Sequence, residues 1–178
     1  MTSMERDPAT GMLTGTFRDR DDAEKAYNAM VSRGYLDKEV NVIMSDDTRK
    51  RHFTKDVAVE TDLGNKAAEG GVTGAALGGL AGAIVGVVAA AGAIAIPGIG
   101  VVIAGPVAAG LAGVGAGGLA GGLIGGLVGA GIPEDRAKIY EKDISDGGIV
   151  LGVKTRNDDD AADLEREWTS YNGVNVYK

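Results

Sequence analysis

Few residues of this 178-residue chain have the types and spacing that catalysis or metal binding requires. The chain has no Cys and a single His, which excludes Cys-based zinc sites, thiol catalysis and multi-histidine metal sites. That residue, His52, lies beside the like charges of Arg49, Lys50 and Arg51, and no residue pair resembles a nucleophile with its base. We therefore expect no enzymatic activity and no bound cofactor or metal.

Acidic residues cluster at two places and carry enough carboxylates to bind a divalent cation. Asp19, Asp21 and Asp22 form one cluster, and Asp158 to Asp160 form the other. Each cluster stands where a helix is predicted to begin, and Asp there caps the first turn and favours the positive end of the helix dipole. Capping therefore explains both clusters better than a metal does.

A basic cluster follows the first charged region. Arg49, Lys50, Arg51 and Lys55, together with His52, place five basic or titratable side chains within seven residues. At a membrane such a cluster can bind anionic lipid head groups, at about 1 kcal/mol per charge. A solvated loop is the alternative interpretation, and the sequence leaves both open.

The remaining charges are acidic in balance and lie at the two ends of the chain. Lys and Arg number 18 and Asp and Glu number 25, for a net charge of −7. This excess, present at both ends, argues against a nucleic-acid partner. Between the ends, the residues 70–133 form a block of 64 residues without a charge, which contains 22 of the 30 glycines.

The charged ends predict two matching β-α-β units. Strands over 12–18 and 40–45 flank a helix, ended by Gly34, with an apolar stripe at Ala23, Ala26, Tyr27 and Met30. Strands over 149–155 and 174–177 flank a second helix, ended by Gly173, with a stripe at Ala161, Leu164, Trp168 and Tyr171. Two such units form a ferredoxin-like α+β sandwich. Neither unit has enough core to stand alone, so we expect the two to pair with each other.

Glycines recur every fourth residue in the uncharged block, and residues four apart share one helix face. Three rows are present: Gly74, Gly78, Gly82 and Gly86; Gly113, Gly117, Gly121, Gly125 and Gly129; and Gly118, Gly122 and Gly126. Each Gly costs a helix about 0.8–1 kcal/mol relative to Ala, so close packing between helices must compensate. The rows therefore predict a glycine-zipper surface. The spacing at Gly113, Gly115 and Gly118 also matches a dinucleotide fingerprint, which we reject because no strand precedes it.

The block is predicted to form a helical hairpin inserted between the two units. Helices over 68–95 and 106–131 are each near 40 Å long, which exceeds the hydrocarbon thickness of a bilayer. The apolar turn between them contains Pro97, Gly98, Gly100 and Pro106. Because a turn in water is normally polar, we expect it to be buried in lipid or in an oligomer.

The hairpin is only weakly apolar, because 38 of the 64 residues are Gly or Ala. Insertion of a single hairpin into a bilayer is therefore marginal. Two adjacent glycine rows on the second helix let it accept one neighbour from its own chain and one from another copy. Leu119, Leu123 and Leu127 would then face lipid or a further layer of protein.

The predicted organisation has five parts. They are a mobile terminus (1–10), the first half of the ferredoxin-like domain (11–46), a polar basic connector (47–66), the glycine-zipper hairpin (67–132) and the second half of the domain (133–178). The last part begins with a short amphipathic helix over 133–146, with Pro133 at its first position and Ala137, Tyr140 and Ile144 facing inward. Gly147 ends this helix.

The chain resembles bacterial general stress proteins (the heat-induced stress protein domain). The likeness lies in a helix that ends in Gly34-Tyr35 and a strand that closes in Met44-Ser45-Asp46. The block, with its ending Gly131-Ile132-Pro133-Glu134, is similar to low-temperature-induced glycine-zipper stress proteins. The likeness covers about residues 10–156. It implies a stress-associated protein and transfers no site residues, because the shared motifs are structural.

The sequence thus predicts a non-enzymatic stress-response protein that homo-oligomerises through glycine-zipper hairpins and associates with a membrane. Its expected location is the cytoplasmic face of a bacterial inner membrane, or the cytoplasm as a large assembly. The first alternative is a soluble ring or filament with the hairpins buried inside. The second is a small-molecule sensor that uses the ferredoxin-like sheet, for which no pocket residue can be named.

Overall fold

A computed structural model describes residues 12–53, 84, 88, 94–96, 100–108 and 122–178. Over these residues the fold is α+β, with a six-stranded sheet in which every strand is antiparallel to its neighbours. The strands are β1 (Met12–Phe17), β2 (Val40–Ser45), β3 (Ile94–Ile96), β4 (Val101–Ala104), β5 (Ile149–Lys154) and β6 (Val174–Tyr177). The helices are α1 (Arg20–Ser32), α2 (Asp46–His52), α3 (Gly122–Gly129), α4 (Glu134–Ser145) and α5 (Asp158–Ser170).

The strands are ordered β3-β4-β2-β5-β1-β6, so the two predicted β-α-β units interleave. Strand β5 of the second unit pairs with β1 on one side and with β2 on the other, both from the first unit. The expectation that the two halves pair with each other is confirmed. Each half obtains its neighbouring strands from the other, although more than 100 residues separate β2 from β5 in the sequence.

Helices α1 and α5 cover one face of the sheet. The predicted stripe of α1 is fully buried there, as are Ala161, Leu164 and Trp168 of α5. Tyr171 packs against the same core from a partly buried position. The Trp168 ring meets Phe17 of β1 edge to face, with ring centroids 5.6 Å apart. This first core therefore confirms both predicted helical stripes.

Helices α3 and α4 cover the opposite face, which forms a second core. Ile43 and Val150 of the sheet meet Ala137, Tyr140 and Ile144 of α4 there, as the sequence predicted for these three. Since side chains alternate across a strand, neighbours such as Val42 and Ile43 contribute to different cores. The sheet is therefore enclosed between two helical layers.

The helix ends mostly match the sequence predictions. Gly34 and Gly147, both with positive φ, follow α1 and α4 as predicted. Helix α5 instead ends with Asn172 in the left-handed region (φ 59°), and Gly173 follows, its N–H donating to the Trp168 carbonyl. A left-handed residue at this position satisfies the last carbonyls of a helix.

Two helix starts differ by one residue from the predictions. Of the two predicted caps of α1, Asp19 and Asp21, it is Asp19 that caps the helix, by accepting a hydrogen bond from the N–H of Asp21. The cap of α5 is Asn157, which places Asp158 to Asp160 inside the first turn. Pro133 is the N-cap of α4 and not its first helical residue.

The predicted connector over 47–66 begins as a helix. Ser45 accepts a hydrogen bond from the N–H of Thr48 and thereby caps α2, which continues to His52. Thr48 and the following Phe53 are buried. The rest of the connector, like the predicted terminus over 1–10, lies outside the described residues.

The predicted helical hairpin is wrong in three places. Ile94–Ile96, the predicted end of the first helix, is strand β3, and the predicted apolar turn contains β4. These two strands form a β-hairpin that pairs with the edge of β2, because β-branched residues suit a strand and an open edge needs a partner. The second helix cannot run unbroken over 106–131, since Gly122 has φ +68°.

Candidate functional site

The predicted zipper glycines divide between described and undescribed residues. Gly122, Gly125, Gly126 and Gly129 belong to α3. The other eight lie outside the described residues: Gly74, Gly78, Gly82, Gly86, Gly113, Gly117, Gly118 and Gly121. Within α3, Gly126 is buried, whereas a Cβ added at Gly122 or Gly129 would meet no described atom within 4 Å. The part of the chain that the structure describes therefore places no second helix against these two positions.

Helix α3 presents its leucines to the sheet, which corrects their predicted orientation. Leu123 and Leu127 are 2% and 0% exposed in the second core, not facing lipid, and Leu119 lies outside the described residues. The N–H of Ile132 donates to the Leu127 carbonyl and closes the end of the helix. Because the chain turns at this point, α4 packs directly against α3, and the whole corner lies on the sheet. Val128 remains exposed on the outer side of α3.

The residues of the predicted helical turn belong to the β-hairpin or flank it. Gly100 lies in the turn between β3 and β4, and its carbonyl accepts a hydrogen bond from the N–H of Asp46. Pro106 begins a helical segment over 106–108. Pro97 and Gly98 lie outside the described residues. Val101 to Ala104 of the predicted apolar turn are thus part of the sheet, where they are buried by their own chain, whereas Gly100 and Pro106 are exposed.

The hairpin sits closely on β2. Gly105, which follows β4, has φ +100°, and a Cβ built there would lie 2.1 Å from the Val40 carbonyl oxygen. The Asn41 side chain accepts a hydrogen bond from the N–H of Val107 (2.8 Å) and donates one to the Gly152 carbonyl of β5 (3.3 Å). Only a residue without a side chain allows the two backbones to approach this far. Asn41 and Gly105 therefore determine where the hairpin docks.

A second part of the uncharged block contacts the first core. Ile84 is fully buried among the residues of that core, and its N–H donates to the Glu24 carboxylate of α1 (3.2 Å). Val88 packs against the same core. The described parts of the block therefore lie on both faces of the sheet.

The basic cluster is part of α2. Lys50 and Arg49 both bind the Asp46 carboxylate, with shortest N–O distances of 2.6 and 2.7 Å. These hydrogen bonds, that of Lys50 first, lower the pKa of Asp46. Cations in the last turn also favour the negative end of the helix dipole, so the helix itself accounts for the cluster. Arg51 is exposed, and Lys55 lies outside the described residues.

A buried polar cluster joins α4 to β1 and β6. The Asp143 carboxylate accepts hydrogen bonds from the Thr16 hydroxyl and the Asn175 side chain, both at 2.8 Å. The Tyr140 hydroxyl donates to Thr14 (2.5 Å) and lies 3.2 Å from the Asn175 carbonyl. Burial raises the pKa of Tyr140, which keeps the phenol neutral.

Asn175 occupies an irregular position in the edge strand. Its φ is +51°, and the β1–β6 register shifts beside it, between Thr14 and Thr16. Such a bulge turns a side chain towards a new direction. Asp143 is 6% exposed and Thr16 is fully buried, so the cluster stabilises the sheet edge and presents no open surface to a substrate.

A charged clamp links the two halves of the domain at the border of the first core, to which Tyr35 belongs. Arg33, at the end of α1, binds Glu167 (2.5 Å) and Asp160 (3.3 Å) of α5. The Tyr35 hydroxyl also bonds to Asp160 and accepts a hydrogen bond from the Arg156 N–H. The Arg156 guanidinium stacks over the Tyr35 ring, 4.4 Å from its centroid. The clamp therefore gives Gly34-Tyr35 a structural role.

A groove of about 470 Å³ lies between α1 and α5. Its charged side chains include Arg33 and Glu167, which pair with each other. Among the described residues, no group of three or more His, Cys, Asp or Glu side chains is placed to hold a metal ion. No helix in the described ranges combines the length and apolar character needed to cross a bilayer.

Sequence reasoning missed the polar residues that lock the sheet. Asn41 and Asn175 stand at the centre of the same run, Val-Asn-Val, in the closing strand of each β-α-β unit. This repeat was the available signal, because an amide inside an apolar strand must find partners when buried. Asp143 carried a weaker signal, since an acidic residue in an amphipathic helix usually faces water.

Comparison of the chain with protein-family models, with curated proteins and with solved structures finds no match in any of the three. The functional argument therefore depends on the residues and contacts described above.

Proposed function

We propose that this chain is a non-enzymatic stress-response protein that self-associates through its uncharged, glycine-rich block. The two charged ends of the chain form a water-facing head, made of β1, α1, β2 and α2 from the first end and α4, β5, α5 and β6 from the second. We assign this head to the ferredoxin-like class. The strand order β2-β5-β1-β6 supports that class, because two interleaved β-α-β units produce this order. The stress role is supported by the resemblance of the helix ending in Gly34-Tyr35 and of the corner at Gly131 to Glu134.

Gly129 carries the proposal of self-association. It is exposed, its φ is not positive, and an added Cβ would meet no described atom within 4 Å. Neither backbone conformation nor packing against a described residue therefore requires glycine there, although glycine weakens a helix. Close approach of another copy supplies a reason, since small residues let helix backbones pack at short distance. The exposed Val128 beside it adds apolar surface to the contact.

We favour an assembly whose block is buried in protein over a hairpin that spans a bilayer. The described parts of the block support this choice, because Ile84, Ile103 and Leu127 are fully buried by the chain itself. A spanning hairpin would need these side chains to leave the head and enter lipid. Contact with a membrane surface is therefore an outcome to be tested and not part of the proposed mechanism.

Sedimentation velocity tests the proposal on the wild type and two variants. We expect the wild type to form a particle well above the 18.0 kDa chain mass. Gly129→Leu should reduce that mass, whereas Ser145→Leu, an exposed change on α4 away from the glycine rows, should not. Because both positions are exposed, we expect both variants to keep the monomer fold, which Trp168 fluorescence verifies, so lost mass then reports a lost contact.

A monomeric wild type, or an unchanged mass for Gly129→Leu, would overturn the proposal. Flotation with lipid vesicles, followed by a carbonate wash, separates the two locations of the block. Protein that stays with the vesicles after the wash would show that the block inserts in lipid instead.

A further inference from the structure

We propose that copies of this chain assemble by exchanging the β3–β4 hairpin, so that the hairpin of one copy pairs with β2 of another. This inference rests on the proposed self-association and adds a second surface to the contact at Gly129. The hairpin belongs to the uncharged block, yet it occupies the β2 edge of the charged head. The donor and the acceptor are therefore distinct parts of one chain.

The segment that contains the hairpin is joined to the rest of the chain by long connections on both sides. Ile84 and Val88 pack in the first core, and only residues 89–93 lie between Val88 and β3, so both residues exchange together with the hairpin. Thirty residues, 54–83, separate Phe53 from Ile84, and thirteen residues, 109–121, separate Ala108 from α3. Thirteen residues span up to about 45 Å when extended, which exceeds the diameter of a small domain. Chain length thus permits the hairpin to dock on its own head or on a neighbouring one.

Every contact that seats the hairpin on β2 is available in each copy. The ladder runs from Val42 paired with Ala104 to Ser45 paired with Val101. The Asn41 amide fixes the register through its bond to the N–H of Val107. Exchange between identical chains re-forms all of these contacts and loses none. Exchange of an identical element is therefore a route to assembly that costs little free energy.

Exchange is favoured over simple release of the hairpin. Val101, Val102, Ile103 and Ala104 are all at most 4% exposed, so release would place them in water. It would also leave the backbone groups of β2 without partners, which folded proteins avoid. The β2 edge of a second copy accepts the hairpin in the same way, so neither the exposure of these side chains nor the loss of the backbone hydrogen bonds arises. Because each copy has one donor and one acceptor, reciprocal exchange closes a dimer, and sequential exchange builds a ring or filament.

The absence of Cys from the chain makes a direct test possible. The N–H of Asp46 donates to the Gly100 carbonyl, so Asp46 and Gly100 form a hydrogen-bonded pair at the end of the β2–β4 ladder. Hydrogen-bonded and non-hydrogen-bonded pairs alternate along an antiparallel ladder. Ile43 and Ile103, three pairs further along, therefore form a non-hydrogen-bonded pair, in which the side chains are close. Ile43→Cys and Ile103→Cys chains are co-expressed in equal amounts, oxidised and analysed on a non-reducing gel. Random exchange should cross-link about half of the Ile43→Cys chains to a partner. Ile103→Cys co-expressed with Ser145→Cys measures random collision.

Cross-linking at the collision level overturns the exchange. If the wild-type particle is large in that case, self-association stands and proceeds by another contact. If the wild type is monomeric, both proposals fail. Trp168 fluorescence verifies the folding of each variant. If a core substitution prevents folding, Ser45→Cys and Val101→Cys replace the first pair of variants. Ser45 and Val101 also form a non-hydrogen-bonded pair by the same alternation.

The same two positions in one chain provide a second, independent readout. Ile43→Cys/Ile103→Cys, oxidised as a dilute monomer, closes the disulfide within the chain and holds the hairpin on its own head. We expect this chain to stay below the wild-type mass until reductant is added and then to reach that mass. Assembly of the locked chain to the wild-type mass would contradict the exchange.

Discussion

Replacing Gly105 with Ala tests how closely the β3–β4 hairpin is seated on the sheet. A Cβ at this position would lie 2.1 Å from the Val40 carbonyl oxygen and 2.9 Å from the Asn41 Cα atom. Both neighbours are backbone atoms, which cannot rotate away as a side chain can. The substitution therefore has to move the chain after β4 away from β2.

The expected cost is the sum of three effects. A positive φ costs an L-residue about 1–2 kcal/mol. Moving Gly105 away from β2 weakens the bond between the Val107 N–H and Asn41, which contributes about 0.5–1.5 kcal/mol. The remaining overlap strains the hairpin further, while the lower entropy of the unfolded Ala chain offsets about 0.4–1 kcal/mol. We expect a net loss of about 2–4 kcal/mol in the free energy of unfolding.

Gly100→Ala is the matched control in the same hairpin. Gly100 also has a positive φ (+66°), but a Cβ there would meet nothing within 4 Å, so we expect a loss of only about 1 kcal/mol. Urea unfolding followed by Trp168 fluorescence measures both losses, and hydrogen exchange of the β4 amides detects local release. Equal losses for the two substitutions would refute the close approach of Gly105 to β2.

Three further substitutions test the contacts that hold the head together. Tyr140→Phe removes the hydroxyl that donates to the buried Thr14 side chain and should lower the free energy of unfolding by about 1–3 kcal/mol. Tyr171→Phe, on a partly buried face, should cost less than about 0.5 kcal/mol, and equal losses for the two substitutions would contradict the buried network. The pKa of Asp46 is lowered, so the stability that it contributes is present above its ordinary value of 3.8 and is lost as pH falls through the lowered pKa. An NMR titration should find this midpoint raised in Lys50→Met, and an unmoved midpoint would exclude Lys50 as the cause. Tyr35→Phe removes two bonds of the inter-half clamp and should cost about 1–2 kcal/mol, measured by urea unfolding; no loss would mean that the clamp does not hold the halves together.

The charged ends of the chain were largely predictable because their pattern is local. Strands β2 and β6 have the bounds that the sequence predicted, and α1 buries Ala23, Ala26, Tyr27 and Met30 as expected. In these regions polar residues separate the apolar ones, so the period of the pattern identifies both the element and its buried face. The buried Tyr140 of α4 followed from the same reasoning.

The uncharged block was not predictable in the same way. It contains no charged residue that could mark an outer face, and its glycines suggested helices throughout. Val101 to Ile103 is a short run of β-branched residues, which periodicity alone cannot assign to a strand or to a buried helix. Only the open edge of β2 decides the matter, because a strand added there satisfies its backbone groups.

The sequence by itself determined the two β-α-β units, their inward stripes and most of their helix ends, since each depends on residues a few positions apart. The tertiary structure alone decided where the described parts of the uncharged block lie. Its β-hairpin extends the sheet, its leucines cover the second face, and Asn41, Asp143 and Asn175 lock the edges through partners far away in the chain. Such contacts depend on which surfaces the folded ends leave uncovered, and no local pattern contains that information.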